Sequence, residues 1–139
     1  MKLHLGCGTI ILEGFINSDI RDMHGASFVD VEKPLPYPKE SVDEVIISHL
    51  LCLVKDRRGF LEEIYRVLKP KGLFEAVINP TRFYTDEAPE PPNMPRKELY
   101  KMLKEVGFKE ITEIDNKVDK DLIKAQGDHK DNLVLIMIK

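Results

Sequence analysis

The chain of 139 residues contains no tryptophan and only two cysteines, Cys7 and Cys52. The two cysteines are far apart in sequence and form no CxxC pair, so a disulfide framework is not indicated. No spacing of histidine, cysteine and carboxylate residues resembles a metal site, so we expect no bound metal. Because both thiols are expected to stay reduced, we predict a cytoplasmic location.

Long apolar runs and an excess of positive charge are missing as well. No run approaches the ~20 residues that span a bilayer, and the first residues lack the pattern of a signal peptide. The net charge is −3, whereas a duplex-binding domain is usually basic. We therefore expect no membrane partner and consider a nucleic-acid partner disfavoured. The length suits one domain over residues 1–139.

The patterns that are present alternate between strands and helices, which indicates an α/β sheet. Apolar residues recur with a helical period over 57–68 and 96–106, and Gly107 ends the second of these helices. A proline-rich connector at 33–38 cannot be a helix interior. The turn 69–72 is expected to separate the first helix from the following strand. Strands are predicted at 3–5, 15–20, 27–31, 42–47, 73–78, 108–114 and 133–138.

Two segments are predicted to be irregular. Residues 81–95 are rich in proline and acidic residues and have the length of a binding loop or lid, with Arg82 and Tyr84 available to touch a ligand. Asn79-Pro80 is expected to end the preceding strand. Residues 117–131 are polar and form a further excursion that includes His129.

Glycines and carboxylates follow the first three predicted strands. Gly6 and Gly8 allow the backbone to turn sharply and to approach a ligand closely. Asp19 could accept both hydroxyls of a ribose diol, and Asp30 with the N–H of Val31 could pair with adenine. Because ligands of open parallel sheets bind beyond the carboxyl ends of the strands, the three signals together indicate a nucleoside site.

A dinucleotide or phosphate site does not fit this pattern. The dinucleotide fingerprint requires a third glycine or alanine three positions after the second glycine, and Ile11 stands there. No Lys-Ser/Thr pair follows the glycines, so a P-loop is excluded. A nucleoside ligand without phosphate fits better.

These residues resemble the class I S-adenosylmethionine-dependent methyltransferases, in particular their small methyltransferase-domain (type 11-like) branch. Residues 3–8 (LHLGCG) resemble its first motif, and 14–20 (GFINSDI) resemble its GxxNxD segment. The stretch from Asp30 to Val45 resembles its "D…LPFPDxSFDxV" pattern, and 60–72 (FLEEIYRVLKPKG) resembles its "fLxExxRVLKPGG" helix and turn.

The resemblance implies a Rossmann-like three-layer sandwich with strand order 3-2-1-4-5-7-6 and an antiparallel last strand. Only about ten residues separate the first two strands, so the first crossover is expected to hold one helical turn or none. The implied cofactor is S-adenosyl-L-methionine. The expected cofactor-binding residues are Leu5, Gly6, Cys7, Gly8, Asp19, Ile20, Asp30, Val31, Ser48 and His49.

The resemblance predicts methyl transfer, with His49 as the candidate general base after the fourth strand. Free imidazole titrates near pH 6.5, which suits proton abstraction. The alternative role for His49 is packing or orienting the cofactor, and His4 is expected to be structural. The family's Glu-His pair is replaced after His49 by Leu51-Cys52-Leu53, so a catalytically inactive regulatory or interaction module is the competing hypothesis. We expect a small-molecule or sugar acceptor, and a homodimer stays open.

Overall fold

The computed structural model describes residues 1–78, 96–114 and 133–139. These residues form one mixed sheet of seven strands, two α-helices and a short 3₁₀ turn at Leu51–Leu53. The strands are β1 (Lys2–Leu5), β2 (Ile16–Asp19), β3 (Ser27–Phe28), β4 (Val42–Ser48), β5 (Leu68–Ile78), β6 (Lys109–Glu113) and β7 (Leu133–Ile138). The helices are α1 (Arg57–Val67) and α2 (Arg96–Val106).

The strand order is β3-β2-β1-β4-β5-β7-β6, as the resemblance implies. Strands β1 to β5 run parallel, and β7 runs antiparallel to both β5 and β6. The chain moves outward from β1 to β3 and then returns to place β4 on the other side of β1. The gap between β1 and β4 is therefore the point where the strand order reverses, and there a ligand crevice is expected.

Two of the predicted strands differ from the structure by more than one residue at an end. Strand β3 covers only Ser27–Phe28, because the chain enters a turn closed by the hydrogen bond from the N–H of Lys33 to the carbonyl of Asp30. Strand β5 begins at Leu68 rather than at residue 73. The predicted turn survives as an irregularity inside this strand: Val42 pairs with Leu68 and Glu44 with Leu73, while Lys71 has φ +64°.

No helix lies in the first crossover, which confirms the expectation from its length. Hydrogen bonds of the Asn17 side chain, rather than those of a helix backbone, hold this crossover. Its Oδ1 accepts from the N–H of Leu12 at 2.9 Å, and its Nδ2 donates to the carbonyls of Leu12 at 2.9 Å and Phe15 at 3.1 Å. The pinned loop places Leu12 against Ile46 and Val77 and so covers this face of the sheet.

The opposite face of the sheet carries the larger core. Helices α1 and α2 contact each other there, and their apolar stripes pack on the strands. Each stripe follows the helical spacing expected from the sequence. Their fully buried members are Phe60, Leu61, Ile64, Val67, Leu99 and Leu103. These helices fix the sheet whose strand ends carry the crevice.

The proline-rich connector before β4 is held to α1 by Arg66. This guanidinium donates to the carbonyls of Leu35 at 3.1 Å and Tyr37 at 3.0 Å. Glu63 accepts from Arg66 at 2.7 and 2.8 Å and from the N–H of Leu35 at 2.8 Å. Prolines leave the connector few internal donors, so side chains of the helix hold its backbone instead.

Several expectations fall on residues outside the described part of the chain. They concern the strand terminator Asn79-Pro80, the loop 81–95 with Arg82 and Tyr84, and the excursion 117–131. In the part of the chain that the structure describes, no helix is long and apolar enough to cross a membrane.

Candidate functional site

A crevice of about 530 Å³ opens at the carboxyl ends of β1, β2, β3 and β4. Its volume falls in the range of small-molecule sites, roughly 300–1,000 Å³. It lies at the point where the strand order reverses. Residues from four strand ends line it: Gly6, Asp19, Ile20, Arg21, Val29, Asp30, Val31, Glu32, Ser48, His49, Leu50, Leu53 and Val54.

Most of the residues predicted for the cofactor site reach this crevice. Seven of them are among its lining residues, namely Gly6, Asp19, Ile20, Asp30, Val31, Ser48 and His49. The other three lie beside it. Leu5 is fully buried in the core, Cys7 is buried behind the glycine turn, and Gly8 holds Asp19 through its backbone. Their roles toward a ligand stay predictions.

Asp19 is almost fully buried at the end of β2 and accepts four hydrogen bonds. Its Oδ2 accepts from the N–H of Gly8 at 2.9 Å and from Arg21 Nη2 at 3.3 Å. Its Oδ1 accepts from the N–H of Arg21 at 3.0 Å and from Arg21 Nε at 3.0 Å. The glycine turn after β1 and the end of β2 are thereby fastened together through one carboxylate.

These contacts keep the Asp19 carboxylate ionised. Burial by itself would raise the pKa of Asp19, but hydrogen bonds from Arg21 and Gly8 outweigh burial and lower that pKa to about 2. The same carboxylate acts on Cys7, whose thiol pKa is raised by burial and then by the negative charge of Asp19. Cys7 therefore stays a neutral thiol at neutral pH and is a poor nucleophile.

Asp30 follows β3, the strand that pairs with β2, and sits in a tight turn. Its Oδ1 accepts from the N–H of Glu32 at 3.0 Å, and its Oδ2 lies 3.5 Å from Lys33 Nζ. Glu32 in turn accepts from the N–H of Lys55 at 2.7 Å, which ties this turn to the start of α1. Asp30 thus presents its carboxylate from a backbone that is braced on both sides.

Apolar side chains form a wall of which the sequence predicted Ile20 alone. Leu50, Leu53 and Val54 follow β4 and line the crevice, and Ile20 and Val29 line it from the other strands. Ile20 is 57% exposed and Leu53 is 52% exposed, and both line the crevice. The apolar run 50–54 is the sequence signal for this wall.

The start of this wall is shaped by two left-handed backbone positions. Gly6 has φ +65°, and a Cβ built there would lie 2.9 Å from both Cδ atoms of Leu50. His49 has φ +54°, a region that non-glycine residues seldom occupy. Its N–H donates to the carbonyl of Val77 at 2.9 Å, which holds this backbone against β5. The strained residue is the candidate base, and strain of this kind clusters at functional sites.

His4, which lies within β1, is not among the residues that line the crevice. His4 is buried within β1, and its Nδ1 lies 3.1 Å from Asn17 Oδ1. It thus supports the residue that pins the first crossover. Among residues 1–78, 96–114 and 133–139, no group of three or more His, Cys, Asp or Glu is arranged to hold a metal ion.

The chemistry of the lining fits an uncharged nucleoside better than a phosphorylated one. Arg21 is the single cationic side chain among the described residues that line the crevice, and it is engaged with Asp19. Three lining carboxylates, those of Asp19, Asp30 and Glu32, would repel phosphate. Hydroxyl and amine donors would instead find acceptors here, and a ring would find apolar contacts.

Residues 17–76 match the sequence profile of the methyltransferase domain family. Over this region, which is less than half of the chain, the sequence is similar to the methyltransferase domain family. The matched region begins within β2 and ends within β5, and it contains Asp19, Asp30 and His49. No curated protein matches the chain in sequence.

Solved structures share the methyltransferase fold over 99% of the chain. One is an S-adenosylmethionine-dependent methyltransferase from Thermotoga maritima, described as a possible histamine N-methyltransferase, at 19% identity, 81% coverage of that chain and TM-score 0.69. A second is the trans-methyltransferase CalH in complex with S-adenosylhomocysteine, at 15% identity, 50% coverage and TM-score 0.66. A third is the [4+2]-cyclase SpnF, at 15% identity, 73% coverage and TM-score 0.64. At these identities the likeness establishes the fold alone.

Proposed function

We propose that the crevice binds S-adenosyl-L-methionine and that the chain transfers the methyl group to a small-molecule or sugar acceptor. The proposal rests on one observation: Gly6, Asp19 and Asp30, from three different strand ends, line one crevice whose side chains do not favour phosphate. The family and the relative bound to S-adenosylhomocysteine support the choice of ligand. When bound, this cofactor would supply a methyl group already activated by a sulfonium.

The described residues would divide the binding of the nucleoside between them. Asp19 would accept the ribose diol, because its ionised carboxylate faces the crevice at the end of β2. Asp30 and the backbone of Val31 would take the edge of adenine, and Leu53 and Val54 would contact its ring. Gly6 leaves room for the ligand beside the backbone because it has no Cβ.

Catalysis by this chain would depend mainly on alignment. Correct orientation of reacting groups is worth up to ~7–11 kcal/mol in intramolecular models. His49 lines the crevice after β4, where its imidazole would take a proton from an acceptor hydroxyl or amine. General-base assistance typically contributes ~10²–10⁴-fold. The left-handed backbone of His49, held by Val77, would preserve the direction of that side chain.

The second candidate function is a module that binds the cofactor without transferring its methyl group. It is favoured by the apolar segment Leu51-Cys52-Leu53, which occupies the position of the family's Glu-His pair and brings no further titratable oxygen or imidazole to the crevice. The [4+2]-cyclase SpnF has a similar fold, which agrees with this second candidate because one scaffold can serve more than one reaction.

Calorimetry would test cofactor binding. We expect S-adenosylmethionine and S-adenosylhomocysteine to bind, and Asp19→Ala to weaken both by about tenfold or more, the effect of losing a charged hydrogen bond. Asp43→Ala is a matched control, because Asp43 also has a pKa of about 2 but lies in exposed ion pairs with Lys69 and the N-terminus. No binding at millimolar concentration, or unchanged binding by Asp19→Ala, would refute the proposed site.

A panel of hydroxyl and amine acceptors would test methyl transfer. We expect formation of S-adenosylhomocysteine with at least one sugar or small molecule, and a loss of about 10²-fold or more in kcat for His49→Gln with cofactor affinity retained. Cofactor binding without turnover on any acceptor would favour the second function. Full turnover by His49→Gln would remove His49 from the chemistry.

A further inference from the structure

Arg21 lines the crevice, and the proposed binding mode assigns it no role. It follows β2 directly, and its side chain turns back on Asp19 as a fork. A Cβ at Gly8 would lie 3.5 Å from Arg21 Nη2, so the guanidinium also sits beside the glycine turn. Sequence reasoning did not single out this arginine.

The fork uses the acceptor positions that a ribose would need. A carboxylate has about four lone-pair positions, two on each oxygen. Asp19 accepts four hydrogen bonds, two on Oδ1 and two on Oδ2, so all four positions are in use. A diol that donates two hydrogen bonds to Asp19 must therefore displace two of the present donors.

Only the side-chain donors can leave without unfolding the site. Two of the four donors are backbone N–H groups, of Gly8 and Arg21, which the glycine turn and the end of β2 hold in place. The other two, Nε and Nη2, belong to a side chain that is 66% exposed and can swing into solvent. Its departure frees one position on each oxygen, which is the pattern that two neighbouring hydroxyls require.

We infer that the Arg21 side chain is an internal substitute for the ribose diol, which occupies Asp19 until a ligand displaces it. The inference rests on the proposed function, since it takes Asp19 as the ribose acceptor. Arg21 then sets the affinity of the site for its ligand, because weaker hydrogen-bond donors cannot displace the guanidinium from Asp19. A ligand must offer two well-placed donors to exchange with the fork.

Binding of adenosine to Arg21→Ala tests the inference. Adenosine carries the diol and no charge, so it reports on Asp19 without a direct interaction with the guanidinium. We expect Arg21→Ala to bind adenosine about two- to fivefold more tightly than the wild-type chain, the range that loss of a partly exposed ion pair spans. Arg58→Ala is the matched control, because Arg58 pairs with Glu105 away from the crevice and should leave affinity unchanged.

Equal or weaker binding by Arg21→Ala would overturn the inference and leave the proposed function intact. Failure of both chains to bind adenosine and S-adenosylhomocysteine at millimolar concentration would overturn both.

Discussion

Asp19 should contribute to folding stability as well as to ligand binding, and this contribution should depend on pH. In the folded chain the pKa of Asp19 is about 2, against an ordinary value of 3.8. Since the folded state has the lower pKa, the unfolded chain takes up the proton more readily. The contribution is therefore present above about pH 4 and is lost as the pH falls towards 2.

The structure sets the magnitude of this contribution. The folded and ordinary pKa values of Asp19, about 2 and 3.8, correspond to an upper limit of about 2–3 kcal/mol. Two of the four donors to Asp19 belong to the Arg21 side chain, which is 66% exposed, so solvent weakens that part of the interaction. We expect Asp19→Asn to lower the free energy of unfolding by about 1–2 kcal/mol near neutrality.

Urea unfolding followed by circular dichroism, at about pH 6 and about pH 3, would measure the effect in both chains. At pH 3, about half of the stabilisation that depends on the ionised Asp19 carboxylate should be lost. The difference in free energy of unfolding between wild type and Asp19→Asn should therefore shrink by about 0.5–1 kcal/mol. Glu13→Gln, which changes an exposed carboxylate of the first crossover, serves as the control. A gap that is the same at both pH values would show that the charge of Asp19 does not stabilise the fold.

Two further predictions concern the frame around the crevice. Gly6→Ala should destabilise the chain by about 1–2 kcal/mol because of its left-handed backbone, and by a further amount because the new Cβ would contact Leu50. Gly14→Ala, at φ +81° with nothing within 4 Å, should show only the backbone contribution. Equal losses in urea unfolding would contradict this account. Arg66→Ala should cost about 2–3 kcal/mol because two backbone carbonyls of the connector lose a charged donor, while Arg58→Ala should cost about 1 kcal/mol or less; similar losses in thermal unfolding would count against the clamp.

The fold could be predicted because its elements carry local signals. The stripe from Phe60 to Val67 has the period of a helix, and Gly107, at φ +123°, ends α2 at the residue expected. The length of the first crossover limited it to one helical turn or none. Where the prediction was wrong, at the start of β5, pairing with β4 extended the strand through a segment with turn chemistry.

The candidate site could be predicted only at the strand ends. Gly6, Asp19 and Asp30 follow strands and therefore meet at one edge of a parallel sheet, which sequence order is enough to show. Asn17 was visible within a family segment, but its hydrogen bonds to the Leu12 backbone depend on how the loop folds back. The exposed apolar wall at Leu53 depends on the 3₁₀ turn after β4.

The sequence by itself determined the order of the elements and the chemistry at the ends of the strands, because these follow from short-range periodicity and from turn residues. The sheet topology was implied by the resemblance to a known family. The tertiary structure decided which side chains share a carboxylate. Whether Asp19 meets solvent, a ligand or Arg21 is settled by distances of about 3 Å between atoms on different parts of the chain. Those distances result from packing of the whole sheet, and no local pattern of residues encodes them.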